Sequence, residues 1–402
     1  MRFGVVAAWC VFATLTASGV ARGHSLGDRF HRFFVRAAFP SETQFAEPFV
    51  PLLEKLALRG IDFPLTSTAP TFGYRFNFET GVPERSSDSL GPVFVERSET
   101  VGARRFDLGV AYLYAGLTDF DGDDFSDLIE AAGKVEEDGR LERLSAFSAT
   151  DFRLDAHVWL LSATYGLSDR WDVNVLLPIV RTSLAVAGNA AVIFDGIARG
   201  PLPTEFDADA VGVGDVITRT KYRFVDAGLA ALAAALALRV PTGSTEDFHG
   251  LGDTTVTPTL IASRTFAAHE VHGSIGVEFN ADDSERQRLR YGAGVTLQPF
   301  DRLAFPVDVV GSSSFTDDEF SIRAPRGRNF PQQLLGAREL VRSIGSREID
   351  LFVPRSDIVD VAAGAKLKLF GTATAFAGAI VPLTADGLRA DVIPTAELEV
   401  SF

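Results

Sequence analysis

Cysteine and methionine each occur once in the 402 residues, and Lys plus Arg (38) are outnumbered by Asp plus Glu (53). The one cysteine, Cys10, lies in the N-terminal apolar run, so once that run is removed the chain has no disulfide and no thiol nucleophile. A formal charge of -15 argues against nucleic acid as a partner, because displacing counterions from phosphates needs a basic face. Long apolar runs are missing too. Beyond the N-terminus the most apolar stretch, 227–238, is closed by Asp226 and Arg239 and is too short to cross ~30 Å of hydrocarbon as a helix. The six histidines form no HExxH or other metal-ligand spacing, no serine can be matched to His157 as a catalytic pair, and no cofactor motif is present. An enzyme, a metal centre and a helical membrane protein are all disfavoured.

What the chain does carry begins with an export signal. Arg2 precedes an apolar run from Val5 to Thr16 and the small residues Ala17, Ser18, Gly19 and Ala21, which places cleavage near Ala21 or Gly23. Trp9 before Cys10 argues against a lipoprotein acceptor. Residues 1–23 are therefore read as a signal peptide, 24–104 as an N-terminal periplasmic or plug segment, and 105–402 as a transmembrane β-barrel.

The barrel reading rests on a period of two. In the last segment Ala390, Val392, Pro394, Ala396, Leu398, Val400 and Phe402 form one face, and Arg389, Asp391, Thr395, Glu397, Glu399 and Ser401 the other. At ~100° per residue the two sets would mix around a helix. The pattern recurs in twelve segments, roughly 105–116, 150–166, 171–181, 214–224, 230–241, 254–265, 270–280, 288–299, 303–314, 358–369, 372–383 and 389–402. They run longer than the ~5–6 residues usual for soluble strands. The links between them alternate: long and mostly polar (117–149, 182–213, 242–253, 281–287, 315–357, 384–388), then short (167–170, 225–229, 266–269, 300–302, 370–371). Long outer loops and short periplasmic turns are the habit of outer-membrane barrels. The fold expected is all-β: an antiparallel barrel of 12 strands, or 14 if a hairpin around 72–78 and 92–99 joins, preceded by a partly helical N-terminal segment. Leu26, Phe30, Phe33, Phe34 and Ala37 at helical spacing suggest one short helix, and Leu52, Leu53 and Leu56 a second.

The candidate functional residues follow from the faces. Arg105, Asp107, Asp151, Arg153, Asp155, Arg219, Lys221, Arg223, Arg288, Arg290, Asp308, Lys366 and Lys368 are assigned to the lumen, with Glu397, Glu399 and His157. Rings of charge would tune passage, or would pair and fill a barrel this narrow. Leu398, Val400 and Phe402 resemble the terminal signal read by the barrel-assembly machinery. Asp119, Asp121, Asp123, Asp127 and Glu130 match ligand positions of a calcium loop, but Asp124 stands where that loop needs glycine, so a solvated acidic loop is expected. His269 and His272 are read as solvated turn residues. The Arg-rich loop 315–357, with a helix-like piece near 332–344, is read as a surface loop. Outer-membrane lipid and lipopolysaccharide, the assembly machinery and an unnamed small molecule are the partners implied.

Several stretches resemble a family of outer-membrane proteins associated with the meta-cleavage pathway of phenol degradation, often labelled transporters. They are Ser87 to Pro92 with Glu96-Arg97, Tyr165 to Trp171, Gly212 to Phe224, Val240 to Gly243, Val353 to Ile358, Val381 to Pro394, and Phe402. The resemblance implies a barrel similar in style to fatty-acid and aromatic-hydrocarbon porins, without catalytic residues. Passive uptake of small molecules, apolar or aromatic ones included, is the expected function. A structural or adhesive barrel acting through its long loops is the alternative.

Overall fold

The computed structural model describes residues 24–38, 74–77, 82–85, 90, 92–124, 130–137, 140–194, 197–227, 230–323, 341–344 and 348–401. Residues 1–23, expected to be a signal peptide, the suggested second helix and Phe402 lie outside them.

Alternating residues of the main sheet are buried and exposed, so its strands are two-faced. They are β1 (Phe106–Leu117), β2 (Arg140–Ser168), β3 (Trp171–Phe194), β4 (Val216–Ala227), β5 (Ala230–Val240) and β6 (Thr255–Phe266). The order continues with β7 (His269–Asn280), β8 (Arg288–Phe300), β9 (Leu303–Ser314), β10 (Asp357–Lys368), β11 (Ala373–Pro382) and β12 (Ile393–Ser401). All pairings are antiparallel. β12 meets β1 from Thr395↔Leu113 to Ser401↔Asp107, closing the ring. Of the 14 strands in the sheet, Glu130–Glu137 and Ile197–Val213 lie outside the ring and the other twelve close on themselves. Closure leaves no free edge, which a chain spanning lipid requires.

The outer surface is oily. Leu260, Ile275, Leu236 and Phe279 are about half exposed, and Phe300 and Phe370 more so. Val361 and Val359 of β10 alternate with buried Asp360 and Ala362, as expected. Such an exterior has no soluble counterpart of this size; it meets hydrocarbon. No helix among the described residues is long and apolar enough to span a membrane. The protein is an outer-membrane β-barrel.

Three expectations are corrected. First, 182–213 is not a loop: β3 runs to Phe194 and pairs antiparallel with Ile197–Val213, from Phe194↔Ile197 to Ile179↔Val213. Alternation simply persists beyond the bilayer. Second, 92–99 does not form a barrel strand; Tyr74–Asn77 pairs with Val82–Arg85 in a separate two-stranded sheet, so the ring holds twelve strands, not 14. Third, Val341–Ile344 is a strand in a three-stranded sheet with Asp318–Arg323 and Glu348–Val353, not helix.

The first expected helix is present as α1, Leu26–Ala38. Ser25 Oγ accepts from Asp28 N at 3.0 Å, an N-cap bond. Leu26 and Phe30 are buried in the main hydrophobic cluster with Leu113, Leu117, Phe152, Leu154, Leu184 and Val186 of the inner wall. The Phe30 and Phe33 rings each lie 5.2 Å from the Phe206 ring. The N-terminus of α1 is held by the β5–β6 loop, through Leu26 N to Asp247 Oδ1 (2.7 Å) and Gly27 N to Glu246 O (2.8 Å). That loop joins the strands at the outer end, so α1 occupies the outer half of the lumen.

Candidate functional site: a luminal strap and the cavity above it

Leu90 and residues 92–102 cross the periplasmic half of the lumen as extended chain and bends, without laddering onto any strand. A segment outside the sheet must satisfy its backbone polar groups by other means. Here inward side chains of the wall do so. Gln298 of β8 accepts from Leu90 N at 2.8 Å. Lys366 of β10 donates to Pro92 O (2.8 Å) and Leu90 O (3.4 Å). One oxygen of Asp308 on β9 accepts from Val93, Phe94 and Val95 N at 3.3, 3.0 and 3.3 Å. Asp172 of β3 accepts from Val101 N at 3.3 Å.

The strap's own charges answer the wall in turn. Glu96 pairs with Arg219 and, at 3.5 Å, with Lys221, both on β4. Lys221 also donates to Arg97 O. Arg97 meets Glu270 of β7 at 3.1 Å and Glu99 at 3.4 Å. Ser98 N donates to Ser263 Oγ of β6 at 3.2 Å. Arg97, Lys221 and Lys366 are each 0 % exposed. Buried charges are tolerated only when paired, so wall and strap are electrically one unit. At the periplasmic rim Ala103 N donates to Asp169 Oδ1 (3.1 Å), and Gly102 lies so close to Gly166 that a Cβ on Gly166 would collide with backbone.

The expected lumen residues therefore divide. Asp107, Arg219, Lys221, Arg290, Asp308 and Lys366 point inward, and four of them grip the strap or its partner charges. Asp107 accepts from Ser401 Oγ. Arg105 and Lys368 sit half-buried at the periplasmic rim and Arg288 at the outer end of β8. Arg223 reaches that rim as well, donating to Asp169 O. Leu398 is exposed toward lipid and Val400 shares its face.

Asp151, Arg153 and Asp155 are not luminal. In β2 the buried residues are Phe152, Leu154, Ala156 and Leu160, so the charges face outward, one residue out of the expected register. His157 is outward with them, its Nδ1 2.8 Å from Tyr112 Oη and its ring stacked beside Trp159. Tyr114 donates to Asp155 at 2.7 Å. His272 is likewise not a solvated turn residue: it is buried, with Nε2 2.8 Å from Asp308 Oδ1. In the acidic loop Asp121 and Gly122 both have positive φ and turn a tight hairpin, and Asp121 accepts from Gly387 N at 2.7 Å. Burial, then the neighbouring Asp386 and Asp123, push the Asp121 carboxyl above its usual range. Among the described residues no carboxylate or histidine group is arranged to hold a metal, and 125–129 lie outside them.

Above the strap lies a cavity of about 150 Å³, floored by Phe94, Val95 and Glu96 and walled by β4 to β10. Small side chains on β5, Ala235 and Ala237, leave the space. Neither strap nor cavity is visible as a motif in the sequence. The nearest signal is Glu96-Arg97, a charged pair within a segment that does not alternate.

The fold and this lumen define the class: a closed outer-membrane barrel with polypeptide packed inside it. Residues 143–329 match the family described as "Putative MetA-pathway of phenol degradation", to which the chain is similar over that stretch, and this is the family that the sequence motifs resemble. No curated protein sequence matches the chain. Among solved structures, a Pseudomonas aeruginosa FadL homologue matches at 9% identity over 74% of this chain and 89% of its own, with a TM-score of 0.30. The Ralstonia pickettii toluene transporter TbuX matches at 12% identity over 75% and 88%, with a TM-score of 0.25. CdiB from Acinetobacter baumannii matches at 10% identity and a TM-score of 0.29 over 74% of this chain, which spans 60% of the CdiB chain.

Proposed function

We propose that the protein is a gated outer-membrane channel for passive uptake of small molecules, with the N-terminal segment as its gate. The strap carries this reading. It crosses the lumen yet is held by side-chain hydrogen bonds, ion pairs and apolar packing such as Phe94 on Phe376, with no ladder onto any strand, so it can leave without breaking the barrel's ladder. Each such bond to a charged group contributes ~1.5–3 kcal/mol, and they act in concert. A purely structural barrel has no need of buried ion pairs, which well-packed apolar residues replace at little or no loss of stability. The family's association with phenol degradation directs the first choice of solutes to small aromatic compounds. No catalytic role is assigned.

The test is conductance in planar bilayers together with solute uptake by cells lacking the gene. Wild-type protein should conduct in brief events, and Lys366→Gln or Asp308→Asn should raise open time severalfold. A barrel silent in all three forms, with uptake unaffected by deletion, sinks the reading.

A further inference from the structure

At the periplasmic end four arginines stand exposed and without an ion-pair partner among the described residues. They are Arg104 before β1, Arg170 in the β2–β3 turn, Arg264 on β6 and Arg302 in the β8–β9 turn. The acids near them are occupied or out of contact. Asp169 accepts from Ala103 N at 3.1 Å, Asp226 pairs with Arg223 at 3.3 Å, and Asp301 makes no ion pair with its chain neighbour Arg302. In a chain of net charge -15 this is a local excess of cation that no carboxylate neutralises.

Aromatic rings mark the depth at which these arginines sit. Phe106, Trp171, Tyr222, Phe266 and Phe300, at the periplasmic ends of β1, β3, β4, β6 and β8, are about half exposed or more. Each of the four arginines lies within two residues of one of these rings. Such a girdle stands at headgroup level. Arg264 fixes the direction. It shares the outward face of β6 with Leu260 and Ala262, and its partner across the ladder, Val271, is about half exposed. A cation on the lipid-facing wall costs little only near the interface. Its guanidinium lies 4.4 Å over the ring of Phe266, one step nearer the periplasm, so the side chain reaches toward the headgroups.

We propose that this rim is a docking surface for anionic phospholipid of the periplasmic leaflet, with the four guanidinium groups on headgroup phosphates. The planar fork of arginine matches phosphate oxygens, and each arginine near an anionic bilayer surface is worth roughly fivefold in affinity. The contacts fix the height of the barrel in the leaflet, and they hold whether or not the lumen conducts.

The experiment uses full-length protein in phosphatidylcholine bilayers that contain a trace of spin-labelled phosphatidylglycerol or spin-labelled phosphatidylcholine. The motionally restricted fraction of each label gives its relative affinity for the barrel. Phosphatidylglycerol should be favoured by roughly two- to fivefold, averaged over all lipid positions around the wall, and the preference should fall toward unity in high salt. Combining Arg104→Gln, Arg170→Gln, Arg264→Gln and Arg302→Gln should abolish it, whereas lysine at the same four positions should keep most of it. None of these side chains has an ion pair to lose, so both variants should retain heat-modifiable migration on gels. Arg355→Gln, at the outer end where Arg355 is paired with Asp357, should leave the preference unchanged. Equal affinity of the wild-type barrel for the two lipids overturns the proposal without recourse to any variant. A preference that survives the fourfold glutamine variant, or that Arg355→Gln removes as effectively, overturns it as well.

Discussion

His272 and Asp308 meet across a strand that places no side chain between them. His272 belongs to β7 and Asp308 to β9, and their contact of 2.8 Å passes over Gly294 of β8. A Cβ on Gly294 would overlap both the His272 imidazole and the Asp308 carboxylate. The other Asp308 oxygen holds three strap amides. Gly294→Ala should therefore unseat the strap without touching it. The expected result is faster hydrogen exchange at Val93, Phe94 and Val95, a longer open time, and loss of roughly 1–3 kcal/mol as buried partners go unmet. Unchanged exchange at those amides would show that Asp308 is not the anchor.

Asp215 performs a similar service at the outer end. Its two oxygens accept from Gly243 N (3.1 Å) and Leu251 N (2.8 Å), closing the β5–β6 loop against the wall. The same loop holds α1 through Asp247 and Glu246. Asp215→Ala should speed exchange across 243–251 and, because the loop carries the helix, at Leu26 and Gly27 too. Acceleration confined to the loop would mean that α1 is seated by Phe30, Phe33 and Phe206 alone.

The twelve strands were legible because hydrocarbon imposes a strict rule: one face of every span must be apolar. Lys221 and Arg219 could be placed inside from charge alone, since lipid would reject them. Outside the bilayer that rule reverses. At Asp151, Arg153 and Asp155 the exterior is water and the interior is packed around α1, so charge faces out and Phe152 and Leu154 face in. Alternation has the same form in both settings, and only depth tells them apart. The strap was illegible for another reason. Its backbone is satisfied by residues from six strands scattered over 172–366, a set that no local pattern announces.

His249 gives the β5–β6 loop a pH dependence. The ring is buried against Gly212, its Nε2 3.3 Å from Thr182 Oγ1, and burial pushes its pKa below the ordinary 6.5. The folded loop therefore prefers the neutral ring. As pH falls through 6.5 the opened loop takes up a proton that the closed loop resists, so closure weakens until the lowered folded value is passed. Exchange at 244–251 should be slow and constant above neutrality and quicken toward pH ~5, after subtraction of the intrinsic exchange rate. His249→Gln should flatten this dependence. A loop equally protected at both ends of the range would refute the mechanism.

The register of β2 can be decided by substitution, because Cys10 is the one cysteine of the chain and lies far from β2 in the sequence. With the observed register, Arg153→Cys and Asp155→Cys present their thiols to the medium and Leu154→Cys buries its thiol against α1. Intact cells treated with a membrane-impermeant maleimide should label the first two and spare the third. Nearer mid-membrane, Leu161 shares the outward face and pairs with Val110, which is about half exposed toward lipid. Leu161→Arg should then cost ~2–4 kcal/mol of barrel stability, the penalty for a cation near the bilayer midplane. If the strand were shifted by one residue, Leu154→Cys would label and Arg153→Cys would not, and the midplane penalty would pass from Leu161 to Leu160. The two registers give opposite labelling patterns, so one set of single-cysteine variants separates them.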